Sequence, residues 1–473
     1  MDSFIEVPPD SDFPLENLPW GVFEADGPNG PTTHVGVALG DHAISVTALQ
    51  AAGYLADLPG APPGVFSHGR LNEFMGAGRP AWVAARQQLQ RLLGAGEGAL
   101  RDDESLRRRA IFKQADVVMR LPCAVGDYTD FYTSRQHATN AGAMFRGLEN
   151  ALHPNWLHLP VGYHGRASSI VPSGVDVRRP WGQVMPPSGG SPAFAPSGQV
   201  DFELEVAAVI GPGNPLGEPI PVSRAWERVF GLVLLNDWSA RDIQKWEYVP
   251  LGPFNGKNWV TQISPWVVTL EALEAAGARC APPPQTDPAV LPYLRDDAPY
   301  TYDVDLAVDV TPAGSAVATT LTRSNLRHLY WTFPQMIAHH TAGGCNLRPG
   351  DLIGSGTISG DEPGSRGCLL ELTWAGRDEL ELRYEPDLAA GGAAPLAAAA
   401  GLGSHGAAGV EGKGAGEGAA GGRRDGVVMR KYLQDGDRVT LRGWCGRRGG
   451  AGGAPRWVGF GACSGALLPS LGR

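Results

Sequence analysis

A chain of 473 residues, 43% of them hydrophobic, can bury a large core and is expected to form two or three domains. Its formal charge of -10 is spread thinly with no long basic tract, which excludes nucleic acid and an anionic membrane surface as expected partners and leaves small polar substrates. Cys123, Cys280, Cys345, Cys368, Cys445 and Cys463 form no C-x-x-C pair, the acidic N-terminus lacks an apolar h-region, and no apolar run approaches the roughly 20 residues that span a bilayer; a cytoplasmic protein with reduced thiols is expected.

In chain order, residues 1–120 hold short strand-like runs such as His34 to Leu39 and one clear helical pattern. Pro80 suits its first turn, Trp82, Leu89 and Leu93 recur near helical spacing, and Gly94 stops it. The charged stretch Arg101 to Gln114 reads as a second, solvated helix. Nothing in this region carries a catalytic pattern, which makes it a small accessory domain. From Leu121 onward aromatics, glycines, prolines and polar residues crowd through Asp127 to His137 and Gly162 to Ser169, as in ordered loops carried on strands.

The stretch Asp201-Phe-Glu-Leu-Glu-Val alternates with the period of a strand, which puts Asp201, Glu203 and Glu205 on one face. The apolar run that follows leads this strand toward the core. Its carboxylates then either form a solvated face or are compensated by protons, a basic partner or a cation, and oxygen ligands of this kind suit Mg²⁺ or Ca²⁺ rather than Zn²⁺. Phe230 to Leu235 reads as a buried strand ending at Asn236-Asp237, and Asp237 or Ser239 can cap the next helix, on which Arg241, Gln244 and Tyr248 share a face. Thr301 to Val310 alternates as a strand, and Ser324 is expected to cap a helix toward His340 that Pro334 breaks or kinks. Leu388 to Gly422, almost wholly Ala and Gly, is expected to be a disordered insertion. Arg438 to Arg442 and Trp457 to Phe460 read as terminal strands around the turn Gly449 to Gly453. The fold class is therefore mainly β, of the α+β kind, with a β-rich catalytic domain over residues 121–473.

Asp130, Glu203, Glu205 and Asp237 stand out as cation ligands by context: an aromatic loop, a shared strand face and the end of an apolar run. Lys257, in Pro253-Phe-Asn-Gly-Lys-Asn, could neutralise surplus carboxylate charge or polarise a substrate oxygen. His137, set among Tyr132, Arg135 and Gln136, is the best general-base candidate, and Glu371, in the apolar strand-like run Cys368-Leu-Leu-Glu-Leu-Thr, is a candidate orienting carboxylate. Against each stands an ordinary reading as a solvated acid, a structural histidine or a surface helix. The chain has no G-x-S-x-G elbow, P-loop, H-E-x-x-H or G-x-G-x-x-G set. A paired-carboxylate glycosidase remains conceivable, though these carboxylates cluster with a lysine as if around an ion.

At these residues the chain closely resembles the fumarylacetoacetase family. The resemblance is carried by Asp10 to Pro19, Gly126 to Asn140, Leu157 to Ile170, Asn236 to Phe254 and Gly356 to Gly360, which together span nearly the whole chain. It implies a small N-terminal SH3-like barrel domain, then a β-rich fumarylacetoacetase-type catalytic domain, in a homodimer. Position by position, it implies metal ligands at Asp130, Glu203, Glu205 and Asp237 with Lys257 and Thr261 beside the ion, and a water-activating pair at His137 and Glu371. It implies oxyanion stabilisation by Arg241, Gln244 and Lys257, and substrate binding by Tyr132, Arg146, Tyr163, Gln244, Tyr248 and Thr357. The implied cofactor is Mg²⁺ and/or Ca²⁺. The implied reaction is hydrolysis of the carbon–carbon bond of 4-fumarylacetoacetate, a β-diketo acid, to fumarate and acetoacetate in tyrosine and phenylalanine catabolism. Acylpyruvate hydrolysis, metal-dependent decarboxylation on the same scaffold, and a non-catalytic cation-binding scaffold are its rivals. The chain departs from the family pattern at Pro334, at Val260 between Lys257 and Thr261, and in the Ala/Gly insertion.

Overall fold

A computed structural model describes residues 2–27, 30–387, 423–424, 426–446 and 457–472. The insertion expected at Leu388 to Gly422 and the turn Gly449 to Gly453 lie outside them. Near the N-terminus, Ile111–Lys113, His42–Ser45, Gly30–Leu39, Trp20–Gly27 and Val118–Arg120 form, in that order, an antiparallel five-stranded sheet. The helix Arg79–Leu93 packs beside it, with Pro80 in its first turn and Gly94 after its end, burying Trp82, Ala85, Leu89 and Leu93. The single helix expected from Arg101 to Gln114 is instead two short ones, Gly98–Arg101 and Glu104–Ala110. Asp103 separates them because its side chain accepts from the N–H of Leu106 and starts the second helix anew. Ile111 and Phe112 then leave the helix to pair with Ile44 and Ala43.

The rest of the chain is built on a central sheet in which Gly162–His164, Tyr128–Phe131, Leu352–Gly354, Leu204–Ile210, Val229–Asn236, Thr261–Ile263 and Ile170–Pro172 lie side by side in that order. Its two middle strands are wholly buried, so their apolar runs are continuous rather than alternating. Val206, Ala208, Ile210, Leu232 and Leu234 face one core. Ala207, Val209, Phe230, Val233 and Leu235 face a second, shared with Trp20, Phe66, Phe74 and Trp82 of the N-terminal region. Against the first core lies another sheet, in the order Thr319–Asn325, Asp305–Thr311, Arg438–Cys445, Val458–Leu468 and Val177–Arg178.

Two further expectations change here. The stretch Thr301 to Val310 divides at Asp303-Val304, with Thr301–Tyr302 pairing Arg279–Cys280 and Asp305–Thr311 entering the second sheet. Ser324 caps no helix; it lies in the strand Thr319–Asn325 opposite Leu306. The helix begins later, at Phe333–Thr341, where Thr332 and Gln335 form a capping box. Pro334 therefore occupies the first turn, where its missing N–H costs no helical bond and no kink results. Val260 is buried in the first core directly before Thr261.

Phe230 is fully buried between the two regions, its ring 5.1 Å from Trp82 and 5.8 Å from Phe74. Phe230→Ala is expected to cost about 3–5 kcal/mol in denaturant titration. A loss below about 1 kcal/mol, the scale of a surface change, would show that the N-terminal region and the sheet do not share this core.

Candidate active site

The acidic segment is buried, which removes the solvated alternative: Asp201, Glu203 and Glu205 are 0%, 4% and 0% exposed. The chain stays extended there but changes partner. Val200–Asp201 pairs Ser239–Ala240, Glu203 bridges Cys368, and Leu204–Ile210 enters the central sheet.

Glu205, Asp237 and Asp130 converge from three places along one end of that sheet, with carboxylate oxygens within 4.8 Å of one another. Glu205 lies at the start of one strand and Asp237 follows the end of its neighbour, while Asp130 comes from Tyr128–Phe131 on the other side, with Leu352–Gly354 between. Gly354 lies between them, opposite both Ala207 and Asp130, and a Cβ there would stand 3.0 Å from Asp130 Oδ1. Gly356, at φ +74°, turns the chain so that its N–H donates to Glu205 Oε2 at 3.1 Å. Tyr163 donates to Asp237 Oδ2 at 3.1 Å and Thr261 to Asp237 Oδ1 at 3.2 Å.

Glu203 does not join this trio. Its carboxylate is held by Lys257 and, at 2.9 Å, by Arg241, while Lys257 also reaches Asp237 Oδ2 at 2.7 Å. Burial works against its charge, but Lys257 and Arg241 outweigh burial and bring its pKa down to about 2. Burial and then the neighbouring carboxylates push Asp130 and Glu205 well above their ordinary values. Burial also raises Asp237, against Lys257. Among the described residues Asp130 Oδ1 and Glu205 Oε1 meet no hydrogen-bond donor. Among the described residues, five buried carboxylates, counting Asp201, thus face two buried cations, Lys257 and Arg241. An all-oxygen set with unused lone pairs in a glycine-lined cradle fits a hard divalent cation.

The second cluster is His137, Cys368 and Glu371. Ser134 starts the helix Arg135–Arg146 by accepting from the N–H of His137, and Asn140 follows one turn later. His137 Nδ1 lies 2.6 Å from Glu371 Oε2, and Asn140 donates to Oε1 at 2.8 Å. Ser359, within the loop 356–360, donates to Oε2 at 2.7 Å, and the Cys368 thiol, whose pKa burial raises, lies 3.2 Å from the same oxygen. Burial opposes the Glu371 charge, yet the imidazole and these donors outweigh it and lower its pKa to about 2. Glu371 is not in a strand: it sits in the one-turn helix Leu369–Leu372, pinned where Leu369 and Leu370 donate to Asp201.

Arg241 opens the helix Arg241–Glu247, but neither Asp237 nor Ser239 caps it; the preceding residue is Ala240, without a side-chain cap. Arg241 Nη1 donates to Gln244 Oε1 at 3.3 Å, whereas Tyr248, at the helix end, is 42% exposed. The Tyr132 ring stands edge-on to His137 at 5.3 Å, and Thr357 is buried beside Gly356. The Arg146 guanidinium donates to the carbonyls of Asn150 and Ala151. Reading the sequence left out Asn140, Ser359 and Cys368. Asn140 at i+3 from His137 was open to a helical reading; the other two meet Glu371 only in the folded chain.

A buried imidazole–carboxylate pair beside a carboxylate cradle can activate water against a substrate held on a cation. Residues 16–122 match the family model described as fumarylacetoacetase N-terminal, and residues 128–452 match fumarylacetoacetate (FAA) hydrolase C-terminal. The chain is 48% identical to a fumarylacetoacetase of Bos taurus, 47% to one of Homo sapiens and 46% to one of Arabidopsis thaliana, in each case over 99% of both chains. It belongs to the fumarylacetoacetase family.

The raised carboxylates make a linked prediction. In the ion-free protein the fold holds protons on Asp130 and Glu205 that the unfolded chain gives up near its ordinary pKa of about 4, so this contribution is full below that pH and lost as pH rises through the folded values. A divalent cation competes with those protons. The gain in melting temperature on adding it is expected to grow as pH rises above the ordinary carboxylate range. A gain that does not change with pH would reject the trio as the binding site.

Proposed function

We propose that this chain hydrolyses 4-fumarylacetoacetate to fumarate and acetoacetate, the last step of tyrosine and phenylalanine breakdown. The observation that carries this reading is the buried pair of His137 Nδ1 and Glu371 at 2.6 Å, set beside a carboxylate cradle in a member of this family. The bond to be broken resists water because its leaving group is a carbanion. Asp130, Glu205 and Asp237, with Glu203, Lys257 and Thr261 around them, would hold a divalent cation, Mg²⁺ or Ca²⁺, which would supply Lewis-acid chemistry that favours an enolate leaving group.

The chain's own residues do the rest. With Nδ1 committed to Glu371, His137 Nε2 takes a proton from the water that attacks the carbonyl next to the fumaryl group. Glu371 stays charged and stabilises the imidazolium. Arg241, Gln244 and Lys257 meet the tetrahedral oxyanion. As the carbonyl re-forms, the electron pair of the carbon–carbon bond leaves on the acetoacetate fragment, and the imidazolium returns its proton to that carbon. Tyr132, Tyr163, Thr357, Arg146 and Tyr248 complete the substrate site; Arg146 would exchange its carbonyl partners for a substrate carboxylate. A homodimer in the cytoplasm, with residues 1–120 as accessory domain, belongs to the same reading and is supported by the family resemblance.

The test is loss of fumarylacetoacetate absorbance with purified protein, expected to stop with chelator and return with Mg²⁺ or Ca²⁺. Absence of turnover in the ion-loaded protein would reject the reading. Glu371→Gln keeps size but loses the charge, so kcat is expected to fall on the order of 10²-fold while ion affinity holds. His137→Ala should fall at least as far, and the double variant should be little worse than the worse single one. Multiplying losses would show that the two do not act as a unit.

A further inference from the structure

Asp201 lies outside the trio and outside the imidazole–carboxylate pair, yet it touches the supports of both. It is fully buried. Its Oδ1 accepts from the N–H of Leu369 at 2.7 Å, and its Oδ2 accepts from Leu370 at 2.9 Å and from Arg241 Nε at 2.8 Å, with Arg241 Nη2 at 2.7 Å. The first two donors open the single turn that carries Glu371. Nε and Nη2 belong to a guanidinium that also forms an ion pair with Glu203 and donates from Nη1 to Gln244. One carboxylate therefore joins the element that orients His137 to the guanidinium of Arg241. A four-residue helix has too few internal hydrogen bonds to hold its own orientation, so its aim depends on such outside ties.

Resting on the function proposed above, we propose that Asp201 is a positioning residue: it sets the Glu371 turn and Arg241 at a fixed separation, so that water activation and oxyanion stabilisation act on the same carbonyl. A shift of about 1 Å in such groups costs on the order of 10²-fold in rate while leaving ground-state binding largely intact. The role is therefore in kcat, not in KM or ion affinity.

Two variants test it. Asp201→Asn keeps the shape but turns one accepting oxygen into a donor facing donors. Leu369→Pro removes one N–H from the tie without touching the Arg241 contact; proline is tolerated at the first helical position, and the extended Cys368 (φ −153°, ψ 161°) suits a residue before proline. In both, kcat is expected to fall about 10–100-fold with KM and divalent-ion affinity within about threefold. Amide exchange in the segment 368–373 is expected to quicken. In a Glu371→Gln background Leu369→Pro should add less than about threefold, since it acts through that residue alone, whereas Asp201→Asn keeps a further loss through Arg241. Near-normal kcat with unchanged exchange in either folded variant, or a Leu369→Pro loss that multiplies with Glu371→Gln, would overturn the positioning role. If wild-type protein shows no turnover while the exchange changes appear, the proposed function fails and the structural tie stands.

Discussion

A carboxylate taken out of water is tolerated only where a proton, a cation or several donors replace its hydration, and the central sheet of this protein sets that requirement at five neighbouring places. The solutions differ. Asp201 receives two backbone N–H groups and a guanidinium; Glu203 receives an ammonium and the same guanidinium. Glu205 and Asp130 are left with oxygens that no donor among the described residues reaches. That imbalance is what an exchangeable cation needs: a site fully satisfied by protein donors would gain little from an ion, and one open to solvent would not hold it. Lys257 bridges the satisfied and the unsatisfied parts through Glu203 and Asp237.

The sheet can meet this requirement because it is covered on both faces. One face is closed by the second sheet and the other by the N-terminal region, so the carboxylates at the ends of Leu204–Ile210 and Val229–Asn236 are buried. In such a place each charge interaction is worth more than at a surface. The N-terminal region thus contributes to the site without supplying one of its named residues: it excludes solvent from the face from which Glu205 projects.

Much of this was legible in the residues. The period of two in Asp201 to Val206, the apolar run before Asp237 and the helix stopped by Gly94 each follow from local chemistry. What escaped is long-range. Ser324 resembles a helix cap, but pairing with Leu306 claims it for a strand. Cys368 to Leu372 is too short for its apolar pattern to separate a strand from a single helical turn, and the choice is made by Asp201, 168 residues away. Arg101 to Gln114 is charged enough for a solvated helix, but the sheet edge at His42–Ser45 captures its end. Asp201 itself was visible as part of the acidic alternation, yet its partners were not, so its part in the site could not be read from spacing.

The extended segment 201–205 acts as a ruler. Alternate residues on one side of an extended chain are separated by about 7 Å, so Asp201, Glu203 and Glu205 reach three successive positions: the turn that bears Glu371, the Lys257–Arg241 pair, and the carboxylate cradle. The imidazole–carboxylate pair, the Lys257–Arg241 pair and the carboxylate cradle then share one rigid reference, held by the pairings of Val200 with Ala240, Glu203 with Cys368 and Leu204 with Asn236. A loop carrying the same three acids could satisfy each charge separately but would not keep the three groups in register. Chemistry in which a water, a developing oxyanion and a departing enolate must line up depends on that register more than on any one contact.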